Sequence, residues 1–161
     1  GMSTLTVFVD TAVFLCAEDS ADAAKQQQAR EWLGQLWRRR SGRTCTQVLN
    51  EFYGQATRQL QPPMPAGDAR AEVRRYQHWK PLHTDQQMVE TAWAVESRFG
   101  LTWWNALVVA AAQHQGCRWL LSDSLPHGLQ IDSVQIINPF LMGPSLLESP
   151  SLSPDSAATA V

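Results

Sequence analysis

The sequence predicts an α/β layer fold built on a mostly parallel sheet. Three observations carry this expectation. Short β-branched or apolar runs alternate along the chain with longer stretches of helical spacing. The 161 residues, 18.0 kDa in mass, suit one domain rather than two. Hydrophobic residues make up 44 % and charged residues only 17 %. That is enough apolar material for one packed core and too little charge for a disordered chain.

Residues 5–9, LTVFV, form the first expected strand, which stops at Asp10. A short apolar helix follows over 11–17. Residues 21–40 read as a long helix with Ala29, Trp32, Leu33, Leu36 and Trp37 on one face, and with Arg38, Arg39 and Arg40 in the last turn, where cations suit the helix dipole. A second strand is expected over 43–46 and a helix over 47–60, stopped by PPMPAG. Asp68 is expected to cap a helix over 68–79. A weak third strand falls at 80–83. Thr84 starts a helix that runs to Phe99 and ends at Gly100. Thr102 caps another over 103–115, closed by Gly116. RWLLS at 118–122 and VQII at 134–137 complete the strands. The domain is expected over 1–140, with a Ser-, Pro- and Ala-rich C-terminal tail over 141–161. No internal repeat is visible.

Thirteen basic residues face 15 acidic ones, a net charge of −2. This excludes binding to nucleic acid by bulk charge, but not action on nucleic acid through a metal held by local carboxylates. Lys25 and Lys80 are the only lysines, and the other 11 cations are arginines, the side chain suited to bidentate phosphate contacts. The longest uninterrupted apolar run is seven residues, 106–112, whereas a membrane span needs about 20. No membrane segment is expected. The N-terminus has no basic n-region, and Asp10 and Glu18 interrupt its apolar stretch, so no secretory signal is expected either. Cys16, Cys45 and Cys117 match neither a disulfide framework nor a zinc spacing; they read as reduced thiols of a cytoplasmic protein.

In open α/β sheets, ligands bind at the C-terminal ends of the strands. Few polar residues are expected there. Asp10 follows the first strand, Glu51 lies one turn into the helix after the second, Asn105 is in the first turn of the helix capped by Thr102, and Asp123 and Ser124 follow RWLLS. Clustered acids repel, so they need a cation, and hard oxygen ligands select magnesium or manganese. Each residue also has a structural role open to it. Asp10 can cap the helix at Thr11, Glu51 can be a solvated helix residue, Asn105 fits a capping box, and Asp123 and Ser124 can form a turn. Other chemistries lack support. No His-Glu-x-x-His, Gly-x-Gly-x-x-Gly or P-loop lysine is present, and Ala12 stands where an Asp-x-Asp phosphatase needs an acid. His127 reads as a loop hydrogen-bonder. Trp32, Trp37, Trp93 and Trp104 fall on apolar faces and are expected in the core. Arg70 and Arg74 share a helix face and could guide an RNA backbone; Glu72 pairing Arg75 on a solvated face is the plainer reading. Arg38, Arg39, Arg40 and Arg43 form a second basic patch.

The segments VFVDTAVFL, TQVLNEFYGQATR, LTWWNALVVAAAQHQGCRWLLSDSLPHG and VQIINPF together resemble the PIN-domain family, and within it the VapC-like ribonuclease toxins of bacterial toxin–antitoxin pairs. The resemblance covers roughly residues 7–140. It implies a three-layer α/β/α sandwich and a magnesium- or manganese-dependent endoribonuclease with four acidic metal ligands. The first family acid falls on Asp10 and the second on Glu51. The third falls on Asn105, an amide. The fourth, counted from Ser122, falls on Ser124, with Asp123 one position early. Ala12 replaces a frequent asparagine, and Thr46 matches a small hydroxyl residue near the site. With charge lost at 105 and 124, the resemblance implies a weakly held cation. Two functions follow from it: a metal-dependent endoribonuclease of toxin type, or a degenerate module that binds RNA or a protein partner without cutting. An antitoxin protein and a homodimer, formed by the early helices and the tail, are the partners it implies.

Overall fold

Residues 5–148 are described by the computed structural model. Its strands are short, and Val7–Val9 and Trp119–Leu121 are buried throughout. β1 (Val7–Val9) lies between β2 (Gly42–Arg43) and β3 (Trp119–Leu121), and β5 (Val134–Ile137) lies beyond β3. All these pairings are parallel, with Val7 opposite Gly42 and Trp119, and Leu120 opposite Ile136. β4 (Gln130–Ile131) closes the far edge antiparallel to β5, giving the order β2-β1-β3-β5-β4. Strands buried on both faces must be apolar on both, and the side chains of VFV and WLL are fully buried.

The helices supply the covering layers. α1 (Thr11–Glu18) packs on α2 (Ala23–Arg39) and α3 (Thr46–Arg58), and α4 (Ala66–Arg75) packs on α3. α5 (Gln86–Phe99) pairs with α6 (Trp103–His114), which lies against β3 and β5. α6 buries every residue from Ala106 to Ala112, because the sheet covers one side of it and α5 the other. The result is the expected α/β class with a mostly parallel sheet. Trp32 of α2 donates its indole N–H to the carbonyls of Pro139 (3.1 Å) and Met142 (3.0 Å), tying α2 to the chain after β5. A 3-10 helix, Pro144–Glu148, then buries Leu146 and Leu147. The remainder of the expected tail, 149–161, lies outside the described residues. Among those described, no helix is long and apolar enough to cross a membrane.

Several boundaries differ from expectation for identifiable reasons. The strand expected at 43–46 ends at Arg43, because Thr44 turns its hydroxyl onto the Val9 carbonyl (3.1 Å) and Thr46 already starts α3. The strand expected at 80–83 shrinks to one bridge, Cys45 to Leu82; Lys80 is left-handed (φ 52°) and Pro81 has no N–H to donate. α4 starts at Ala66 after Pro65, without a side-chain cap, and Asp68 sits in its first turn. Its expected last turn is instead a 3-10 helix, Tyr76–Trp79. Asp85, not Thr84, caps α5 by accepting from the Met88 N–H (2.8 Å). β4 was not expected; two residues and a turn at Asp132 (φ 54°) make it. Trp93 is not in the core but 48 % exposed, since Met88, Ala92 and Val95 form the buried face of α5.

Gly42 has no side chain because the Trp79 indole lies where a Cβ would stand. Gly42→Ala should therefore destabilise the protein by roughly 1–3 kcal/mol through overpacking. Denaturant unfolding of the two proteins checks this.

Candidate functional site

The site is built at the C-terminal ends of β1 and β3. The Asp10 N–H donates to the Leu121 carbonyl (3.3 Å), which continues the β1–β3 ladder by one residue. Its side chain turns back to accept from the Thr11 N–H (2.7 Å), capping α1. Asp10 is thus both a helix cap and a buried carboxylate, 6 % exposed. Burial pushes its carboxyl from an ordinary 3.8 up to about 6. The Thr11 hydrogen bond partly opposes this, while the nearby carboxylates of Glu51 and then Asp123 raise it further.

Glu51 stands one turn into α3, half-buried. Burial raises its carboxyl, and a hydrogen bond donated by the Gln55 amide draws it back. Gln55 did not emerge from the sequence as a site residue. Its signal was the i, i+4 spacing from Glu51, which puts both on one helix face.

Thr102 caps α6, its hydroxyl accepting from the Asn105 N–H (3.2 Å). The Asn105 side chain does not return to the cap. Its Oδ1 accepts from the Ser124 hydroxyl (3.1 Å). Ser122 Oγ lies 3.1 Å from Ser124 Oγ and accepts from the Ser124 N–H (3.2 Å). Because the Ser124 proton is committed to Asn105, Ser122 is the donor to Ser124. Ser122 thus orders the loop from below, a role the sequence reading left unassigned.

Asp10, Glu51, Asn105, Asp123 and Ser124 line one cleft of about 350 Å³, together with Gln55, Thr102 and Trp104. Thr46 is not in its lining; it starts α3 and donates its N–H to Leu82 (3.0 Å). Arg70 and Arg74 line a separate depression with Asn50 and Tyr53, where Arg70 Nε donates to the Tyr53 hydroxyl (3.2 Å). Arg75 pairs with Glu72 at 2.9 Å. His127 accepts at Nδ1 from the Asn138 N–H (3.0 Å), a loop contact outside the cleft.

The cleft's donors are all oxygens, a set that suits magnesium or manganese. A carboxylate buried at a cost to its ionised form also fits, since an adjacent cation removes that cost. Charge is the shortfall: among the described residues no three His, Cys, Asp or Glu side chains group closely enough to hold a metal ion.

The PIN domain family model matches residues 7–124, from the start of β1 to the cleft's last serine. The chain belongs to the PIN domain family. No curated protein matches it in sequence. Among solved structures, VapC20 of Mycobacterium tuberculosis, described as a Sarcin-Ricin loop cleaving toxin, is similar with a TM-score of 0.54. The sequence identity is 18 %, and the match covers 71 % of this chain and 87 % of VapC20. That likeness is one of fold.

In this PIN domain the raised Asp10 pKa makes stability pH-dependent without metal. The folded state holds the Asp10 proton more tightly than the unfolded chain, so ionisation costs stability as pH rises from 3.8 through about 6. Asp10→Asn should stabilise the metal-free protein by up to about 3 kcal/mol at pH 7–8, with no gain below about pH 4. Urea unfolding in EDTA across this range checks the expectation.

Proposed function

We propose that this chain is a PIN-type endoribonuclease of the toxin kind, acting on RNA through a weakened acidic site. The observation that carries the reading is the shared cleft of Asp10, Glu51, Asn105, Asp123 and Ser124 at the strand ends. The toxin description of VapC20 supports the substrate class. A magnesium or manganese ion held by Asp10 and Glu51, with Asp123 at the rim, would supply Lewis acidity toward a scissile phosphate and its attacking water. Gln55 holds the Glu51 carboxylate in orientation, and Thr11 does the same for Asp10. Asn105 and Ser124 contribute oxygens without charge, which weakens the hold on a cation. Thr46, Arg70 and Arg74 remain candidates for contacting the RNA beyond the cleft.

A specific contact favours a second reading, a module that binds RNA or a protein without cutting. Asn105 and Ser124 satisfy each other directly, so this half of the cleft is stable with no cation present. Asn105→Asp with Ser124→Asp decides between the two. The double variant should tighten manganese binding at least tenfold and raise cleavage of a mixed-sequence RNA, while Asp10→Ala should abolish any cleavage by the wild type. Calorimetric metal titration and a gel cleavage assay measure both. Cleavage that survives Asp10→Ala would move the active centre elsewhere, and no metal binding in either protein would leave the binding module.

The toxin reading carries an antitoxin partner, a cytoplasmic setting and a homodimer with it. The exposed Trp93–Trp103 stack (ring centroids 6.5 Å apart) and Leu141 offer apolar surface to a second copy. Light scattering at micromolar concentration should give twice the chain mass; a monomer there overturns the homodimer.

A further inference from the structure

Away from the acidic cleft, on the β2 edge of the sheet, lies a pocket of about 490 Å³. Three separate segments build it: the end of α2, β2, and the 3-10 helix Tyr76–Trp79 with the residue after it. Gln115, just past α6, adds a fourth side. Its ionisable lining consists of Arg40, Arg43, His78 and Lys80, with no carboxylate.

Arg40 and Lys80 are two of the three non-glycine residues with positive φ among the described residues, at 54° and 52°. Each ends a helix at a position where glycine is the unstrained choice. Both carry long cations into the pocket instead. Arg43 Nη1 donates to the carbonyls of Arg40 (3.3 Å) and Gly42 (2.9 Å), which fixes its guanidinium at the wall. The apolar wall is made of the Trp37 and Trp79 indoles, 5.4 Å apart between centroids, and Gly42 makes room for the second. Gln115 donates its amide to the Thr44 carbonyl (3.1 Å), and its Oε1 is buried with no hydrogen-bond partner.

We propose that this pocket binds a nucleoside phosphate. Phosphate answers the cations, and a base ring answers the indole wall. Inorganic phosphate alone would leave the indole wall unused. The ligand is either a free nucleotide or a nucleotide within an RNA chain. The proposal stands apart from the metal chemistry of the cleft. Arg40 also complements the C-terminal dipole of α2, but that role does not extend to Arg43 in β2.

The test uses the full chain in EDTA, titrated with ADP, with a 5′-phosphorylated tetranucleotide RNA and with inorganic phosphate. Binding is followed by calorimetry and by quenching of tryptophan fluorescence. ADP or the tetranucleotide should bind the wild type and quench its fluorescence. Arg43→Gln with Lys80→Gln should raise Kd at least tenfold. Tighter binding of ADP identifies a free nucleotide; tighter binding of the tetranucleotide identifies RNA. Should the double variant fail to fold, Lys80→Gln alone decides, with Kd raised severalfold. The proposal is overturned if neither ligand binds, if inorganic phosphate binds as well as ADP, or if the folded variants keep wild-type affinity. A lowered Tm with unchanged affinity would assign the cations to the helix ends instead.

Discussion

Val7–Val9 hydrogen-bonds to β2 on one side and to β3 on the other, with all three side chains buried. One step of slip would turn Val7, Phe8 and Val9 into the opposite layer, so the packing of the two layers fixes the register. The last rung, from the Asp10 N–H to the Leu121 carbonyl, sets where the cleft can be. It fixes the first acid level with the end of β3. The two residues after Leu121 then bring Asp123 to the same edge. Leu120 opposite Ile136 holds β3 in register from the other side, and Trp32 locks the chain after β5 onto α2. The acids are therefore held by the core, and their positions do not depend on one another's charge.

That independence explains how the cleft can carry so uneven a charge. Asp10 is buried enough for its carboxyl to be raised to about 6, and Glu51 stands nearby. Across from them, Asn105 and Ser124 form a neutral pair with Ser122 beneath. Two more carboxylates there would add repulsion to a partly buried site that already carries three acids. The neutral pair removes that cost and loses ligand charge in the same step. Stability without metal and affinity for metal thus pull positions 105 and 124 in opposite directions.

The parts of this arrangement that were legible in the sequence share one property: a strong local signal. β5 and α6 follow from an apolar run and a capped periodic stretch, and Asp10 from its place at the abrupt end of an apolar run. What was missed lacks such a signal. α4 begins after a proline with no capping side chain. β2 is cut short by a long-range bond from Thr44 to Val9, which no local pattern encodes. The pattern puts Trp93 on the apolar face, whereas α5 buries Met88, Ala92 and Val95, and one residue further round the helix is about 100° away. In the cleft, the convergence of Asp10, Glu51 and the 123–124 loop was legible from strand ends. The Ser124–Asn105 contact was not, because two neutral residues 19 apart give no sign of pairing.

Charge along this chain is separated by place more than by amount. The net value of −2 conceals carboxylates at the strand C-termini and Arg40, Arg43, His78 and Lys80 in a pocket on the β2 edge. The cations line a cavity of their own on the β2 edge. They act on a ligand by touching it. Arg70 and Arg74 of α4 line a separate depression, where Arg70 contacts Tyr53. A polyanion reaching the cleft meets carboxylates first unless a cation covers them, so its approach depends on the bound metal. The pocket on the β2 edge faces no such repulsion. Its occupancy needs no metal, and physical separation makes it a second site rather than an extension of the first.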